Sequence, residues 1–263
     1  MKLNKLTASL VAVAAMSFGS SAQAINIGGV VWDTNSPFDF ITQTNLYETI
    51  GINVGDTFGG YGEITAINAN STVNGPTGFC PTCQLTYAFG GYTITKAAAF
   101  IGDTFTATGG FLRIYVQDTA AVGYTAFNAA TKSTATDGTL WLDLLATNGA
   151  LPVGTTLAGT VTIPNSISTA GQGAGYFDVV GGVAMANLDT NTQPGGSDLT
   201  VTSSFQPLAN PISNIINGVP TVVATHFGGN NGLGQSVPEP ATLALLGLGL
   251  VGLGMSRRNK KAA

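Results

Sequence analysis

Two cysteines, one histidine and thirteen carboxylates are the side chains of this 263-residue chain best suited to chemistry, and their spacing limits what they can do. Cys80-Pro81-Thr82-Cys83 is the sole cysteine pair. As a redox dithiol it would open a helix in a βαβ setting, where the helix N-terminus lowers the thiol pKa. Here an alternating β pattern follows it. A zinc site needs four ligands, and Cys80 and Cys83 have only the distant His226 to join them. In an oxidising compartment the expectation is a local structural disulfide.

His226 lies in Thr-His-Phe-Gly-Gly, where a catalytic base would be poorly held, so the simpler reading is a solvated side chain. Glycoside hydrolysis needs two carboxylates flanking the sugar. Glu48 and Glu63, or pairs of aspartates, are open to that role, but most of these acids adjoin Gly, Thr or Asn, where turn formation is the ordinary reading. Asp189, Asn191 and Asp198 form an oxygen-rich stretch that could take calcium, although the EF-hand spacing is missing. Trp32 and Trp141 could offer a sugar platform. The setting of Trp141 in Thr-Leu-Trp-Leu-Asp-Leu-Leu favours the core instead. No enzymatic activity and no cofactor are expected from these residues.

The elements that must position these groups read as strands. Glycine and threonine are abundant, charge is sparse and no long 3.6-residue period appears, which gives an all-β domain of sandwich or jelly-roll type over 25–227. Strands are expected at Ile25–Trp32, Leu46–Ile52, Tyr61–Asn68, Thr139–Leu145, Leu157–Ile163, Tyr176–Met185, Leu199–Phe205 and Val219–Phe227. Gly59-Gly60 reads as a turn. Leu85, Tyr87 and Phe89 alternate up to Gly90-Gly91, and Tyr92 and Ile94 resume beyond it, which predicts a hairpin over Gln84–Lys96. A second hairpin is expected to join Thr104–Thr108 to Phe111–Val116 through Gly109-Gly110. Ala126–Gly138 reads as a loop or short helix, and Pro207–Pro220 could hold one helical turn. Residues 228–237 read as a flexible linker.

The two ends of the chain differ from this domain. Lys2 and Lys5, the apolar stretch Leu6–Met16 and Ala22-Gln23-Ala24 have the form of a secretory signal peptide over 1–24, with cleavage after Ala24. Between Ile25 and Val237 three bases (Lys96, Arg113, Lys132) then face twelve carboxylates, a balance of −9. Nucleic acid is therefore excluded as a natural partner, and an anionic membrane surface is disfavoured. At the other end, Pro238-Glu239-Pro240 precedes an apolar run from Ala241 through Leu245 and Leu250 to Met255, and then the cations Arg257, Arg258, Lys260 and Lys261. The prolines keep Glu239 in an extended segment, and the cations would hold the end of a short apolar helix at the cytoplasmic face of the inner membrane. A fifteen-residue helix spans about 22 Å, short of the roughly 30 Å hydrocarbon core, so transient retention suits it better than a permanent anchor.

This tail, 238–263, resembles the PEP-CTERM sorting signal of exported proteins in exopolysaccharide-producing Gram-negative bacteria. The resemblance implies passage through the secretion machinery, recognition of Pro238, Glu239 and Pro240 by the membrane enzyme exosortase, and removal of the tail. It further implies transient inner-membrane anchoring and delivery to the cell surface or extracellular matrix, in company with extracellular polysaccharide. The expected role is that of a structural surface or biofilm protein. A carbohydrate- or calcium-binding module is the alternative, and a polysaccharide-modifying enzyme a third reading.

Overall fold

The computed structural model describes residues 25–32, 40–41, 47–49, 53–67, 79–118, 133–163, 170–205, 214–216, 219–222 and 234–235. The expected signal peptide, His226 and the tail from Pro238 onward lie outside them. The described residues form fifteen strands: β1 (Ile25–Ile27), β2 (Val30–Trp32), β3 (Phe40–Ile41), β4 (Tyr47–Thr49), β5 (Thr57–Glu63), β6 (Ala66–Ile67), β7 (Cys83–Lys96), β8 (Thr104–Asp118), β9 (Thr139–Thr147), β10 (Leu157–Ile163), β11 (Ala170–Gly181), β12 (Leu199–Phe205), β13 (Asn214–Ile216), β14 (Val219–Val222) and β15 (Gly234–Gln235). A single helical turn, α1 (Met185–Leu188), follows β11. Among the described residues no helix is long and apolar enough to cross a membrane. The fold is all-β, as the composition predicts.

β1 and β2 form a small hairpin of their own, and the other thirteen strands join one antiparallel sheet. Its order runs β13, β14, β4, β5, β7, β8, then β10, β11, β12, β15, β3 and β6, with β9 also lying between β8 and β11. β9 and β10 share one strand position. Leu157–Thr160 of β10 pair with Ala107–Thr104 of β8, while Thr139–Leu145 of β9 pair with Val116–Phe111 of the same strand. On the other side β11 repeats the division, with Gly171–Gly175 on β10 and Tyr176–Gly181 on β9. The chain thus runs along one lane of the sheet, leaves it over Asn148–Thr156, and re-enters the same lane.

Three diglycine readings are corrected here. Gly90-Gly91 and Gly109-Gly110 make no hairpins: β7 and β8 run straight through them and pair with each other from Cys83–Asp118 to Lys96–Thr106. Gly59-Gly60 likewise lies inside β5. The buried face of β7 switches from Leu85, Tyr87 and Phe89 to Tyr92 and Ile94, because between Phe58 and Gly60 of β5 the facing β7 residues are Tyr92 and Phe89, one residue more on β7. A bulge changes parity as a turn does, without reversing the chain. The glycines are needed because the strands approach closely at this crease: a Cβ on Gly59 would lie 2.6 Å from the Phe89 carbonyl oxygen, and one on Gly110 would enter the Tyr92 ring. The Phe58 and Tyr92 rings stack there with centroids 5.1 Å apart. Burial pushes the Tyr92 phenol pKa well above its usual value.

The true two-residue turn is Gly28-Gly29, both at positive φ, inside what the sequence suggests is one strand over Ile25–Trp32. Other boundaries also move. β11 begins at Ala170 and ends at Gly181, so Met185 belongs to α1 rather than to a strand. Asn214–Ile216, expected within a helical turn, are strand β13. Within the expected linker, Gly234–Gln235 pair with β12 and β3 as β15. β10 and β12 begin and end where the sequence pattern places them.

The core gathers where the hairpin β1–β2 and the strand β3 meet β7, β9 and β11. Trp32, Ile64, Ile67, Leu85, Tyr87, Ile114, Trp141, Leu142, Leu144, Leu188 and Leu199 are all buried. Trp141 of β9 is fully buried, meets Phe40 of β3 edge-on at 5.8 Å, and donates its indole N–H to the Ile27 carbonyl. The core reading of Trp141 therefore holds.

Candidate functional site

Cys80 and Cys83 are bonded to each other, with Cα atoms 4.9 Å apart, and both are buried. Phe79 beside them accepts from the Val31 N–H at 2.7 Å, so this short loop is fastened to the β1–β2 hairpin. The pair is a structural fastening in a buried setting.

Asp189, Asn191 and Asp198 do come together after β11. Their hydrogen bonds show what they do. Asp198 is buried, and its Oδ2 accepts from Val179 N at 2.7 Å while Oδ1 accepts from Thr190 N at 2.7 Å and Asn191 N at 2.6 Å. Asn191 Nδ2 donates to Asp189 Oδ1 at 3.1 Å. These bonds hold the 189–198 loop and support Asn191 at φ 53°. The carboxylate of Asp198 thus serves backbone donors rather than an open cation site. Among the described residues, no group of three or more His, Cys, Asp or Glu side chains is placed to hold a metal ion. Asp178, next to Val179 whose N–H donates to Asp198, has its pKa raised first by desolvation and then by Asp198 and Asp189, against a hydrogen bond with Thr147.

Glu48 and Glu63 stand on the adjacent strands β4 and β5, with Glu48 paired to Gly60. Glu63 Oε1 accepts from Gln84 Nε2 at 2.9 Å.

The outer face of β8, β9 and β11 carries a group that the sequence reading passed over. Direct pairing puts Phe111, Leu145 and Asp178 in one row, and Arg113, Asp143 and Gly181 in the next. Arg113 Nε donates to Asp143 Oδ1 at 3.0 Å, and its guanidinium lies 4.7 Å from the Phe111 ring centroid. Leu145 is 54% exposed. The result is an apolar strip bordered by a planar cation and two carboxylates. The available signal was Asp143, a lone charge within an apolar strand, together with the alternation of Phe111, Arg113 and Tyr115.

Comparison with known families places one finding on the tail. Residues 236–258 match the PEP-CTERM protein-sorting motif. This chain carries a PEP-CTERM sorting signal. No curated protein and no solved structure matches the chain. The motif spans Ser236 to Arg258 and so includes Pro238, Glu239 and Pro240, the whole apolar run from Ala241 to Met255 and the first two cations. It implies exosortase-dependent export and sorting to the cell surface.

Proposed function

We propose that this protein is a structural component of the cell surface or extracellular matrix, associated with the exopolysaccharide or biofilm of its producer, and is not an enzyme. The observation that carries this reading is the PEP-CTERM motif at 236–258 behind an acidic all-β domain. In that domain Asp198 serves the fold, and Arg113 is engaged with Asp143. Exosortase is the processing partner, and the apolar run is a transient inner-membrane anchor that leaves with the tail.

The deciding experiment compares the native protein with Glu239→Ala by intact mass and cell fractionation. The reading expects native protein outside the inner membrane, without the tail beyond the tripeptide region, and the variant full-length in the membrane. Retention of Ala241–Ala263 by both forms would make the tail a plain anchor and overturn the reading.

The face around Arg113 supports a second reading, contact with polysaccharide. A pyranose lays its C–H face on an aromatic or apolar strip, and its hydroxyls bond to neighbouring carboxylates and guanidinium groups. Phe111 and Leu145 offer the strip, and Arg113, Asp143 and Asp178 the polar border. Titration of the producer's polysaccharide into the exported protein and into Phe111→Ala tests it. Equal heats from both would remove this face from consideration.

A further inference from the structure

The end of the β7–β8 pair nearest the disulfide holds a second group of interest. Thr86 of β7 and Gln117 of β8 are diagonal neighbours, since Thr86 pairs with Tyr115 and Gln84 pairs with Gln117. Both are buried: Thr86 is 0% exposed and Gln117 5%. The segment 133–138 covers them, with the Ala135 carbonyl accepting from the Thr86 hydroxyl at 2.8 Å. The amide nitrogen of Gln117 is crowded. It points at Thr86 Oγ1 at 3.4 Å, at Asp137 Oδ1 at 2.6 Å and at the Thr134 carbonyl. An amide nitrogen carries two hydrogens, so three acceptors around it are one more than it can fully satisfy.

We infer that Thr86 and Gln117 form an intramolecular ester cross-link, with Asp137 as the proton carrier. The Thr86 hydroxyl oxygen attacks the Gln117 side-chain carbonyl carbon. The Oγ1–Cδ bond forms and the Cδ–Nε2 bond breaks. The hydroxyl proton ends on the departing nitrogen, which leaves as ammonia, and no oxidant, metal or cofactor takes part. Asp137 is placed for the transfer because its carboxylate already touches Nε2 and, being on the exposed side of the 133–138 segment, exchanges protons with solvent.

Three physical circumstances favour the reaction. The Thr86 hydroxyl is held 3.4 Å from the Gln117 amide nitrogen, so the fold has already met the entropy cost of bringing hydroxyl and amide together. Ammonia is lost to bulk solution and does not return. Burial of Thr86 and Gln117 keeps water from the ester once it has formed. The product would join β7 to β8 close to where Cys83 faces Asp118, so the two longest strands would be locked at the end that carries the Cys80–Cys83 bond.

The test is mass spectrometry of the purified full chain or its exported form under reducing conditions. Trypsin cuts after Lys96, Arg113 and Lys132, so the cross-link would join the peptide ending at Lys96 to Ile114–Lys132, with a mass lower than their sum by one ammonia, about 17 Da. Hydroxylamine should separate the two peptides. Thr86→Val should give both peptides free at full mass. Asp137→Asn, a change at an exposed position that leaves both reacting groups in place, should slow or abolish the loss. Separate peptides at full mass from the unaltered protein would overturn the inference, as would an ammonia loss that persists in Thr86→Val.

Discussion

The indole N–H of Trp141 donates to the carbonyl of Ile27 at 2.8 Å, across 114 residues of sequence. This bond seats the β1–β2 hairpin on the main sheet, with Phe40 against the same ring. Trp141→Phe removes the bond and leaves part of the indole volume empty. It is expected to lower unfolding free energy by about 2 kcal/mol or more. A denaturant midpoint unchanged from the native protein would mean that the hairpin is held by other contacts.

The glycine crease makes a paired prediction. Gly102 and Gly110 both have positive φ, but a Cβ on Gly102 meets nothing within 4 Å while one on Gly110 enters the Tyr92 ring. Gly102→Ala should cost about 1 kcal/mol in backbone strain alone. Gly110→Ala should cost about 1–3 kcal/mol more from the overlap. Thermal unfolding of the two variants in parallel measures the difference, and equal costs would contradict the packing described.

Asp178 gives a pH dependence. Desolvation, with Asp198 and Asp189 nearby, raises its pKa in the folded state. The folded protein then holds that proton more tightly than the unfolded chain does, so stability falls as pH rises from the unfolded carboxylate range through the folded pKa. Asp178→Asn should therefore raise the melting temperature at neutral pH and bring little change under acid conditions, where the native carboxyl is already protonated. A gain confined to acid pH would reverse the sign and refute the assignment.

Asp198 should behave as a structural acceptor. Asp198→Asn turns an amide toward backbone N–H donors and is expected to cost about 2–3 kcal/mol. The loss should be the same with added calcium and with a chelator. A native melting temperature that rose with calcium and fell with the variant would restore a cation to this loop.

Replacing Cys80 and Cys83 by alanine opens a very small loop, and chain entropy puts the expected loss at about 2 kcal/mol. Because both sulfurs are buried, reduction of the native protein should be slow without denaturant. Immediate labelling of native thiols by a bulky maleimide after mild reduction would argue against that burial.

Strand content was easy to see in the sequence because it depends on local alternation. β10 and β12 are flanked by turn residues and carry no internal glycine pair in a bend, so their limits follow from pattern alone. Gly28-Gly29 and Gly90-Gly91 look alike as dipeptides, yet one reverses the chain and the other bends it. What separates them is the partner strand: β7 finds β8, which carries its own glycine pair opposite, and this pairing is invisible in either segment by itself. The shared lane of β9 and β10 was hidden for the same reason. The sorting tripeptide was legible because it is contiguous. The Arg113–Asp143 and Thr86–Gln117 pairs depend on register between strands, and a parity reading interrupted by the bulges could not align them.

The departure of the chain between β9 and β10 has a practical meaning for anything displayed on the producer's surface. Asn148 Nδ2 sits within 2.9 Å of the carbonyls of Leu151, Pro152 and Thr155, sharing its two hydrogens among them and closing the excursion at its base, while Val153 at its tip is 99% exposed. Because the strand re-enters its own lane, extra residues spliced in after Val153 leave every hydrogen-bond register in the sheet where it was. This loop is a natural port for a peptide epitope or a small inserted domain, carried outward by the protein's own sorting signal.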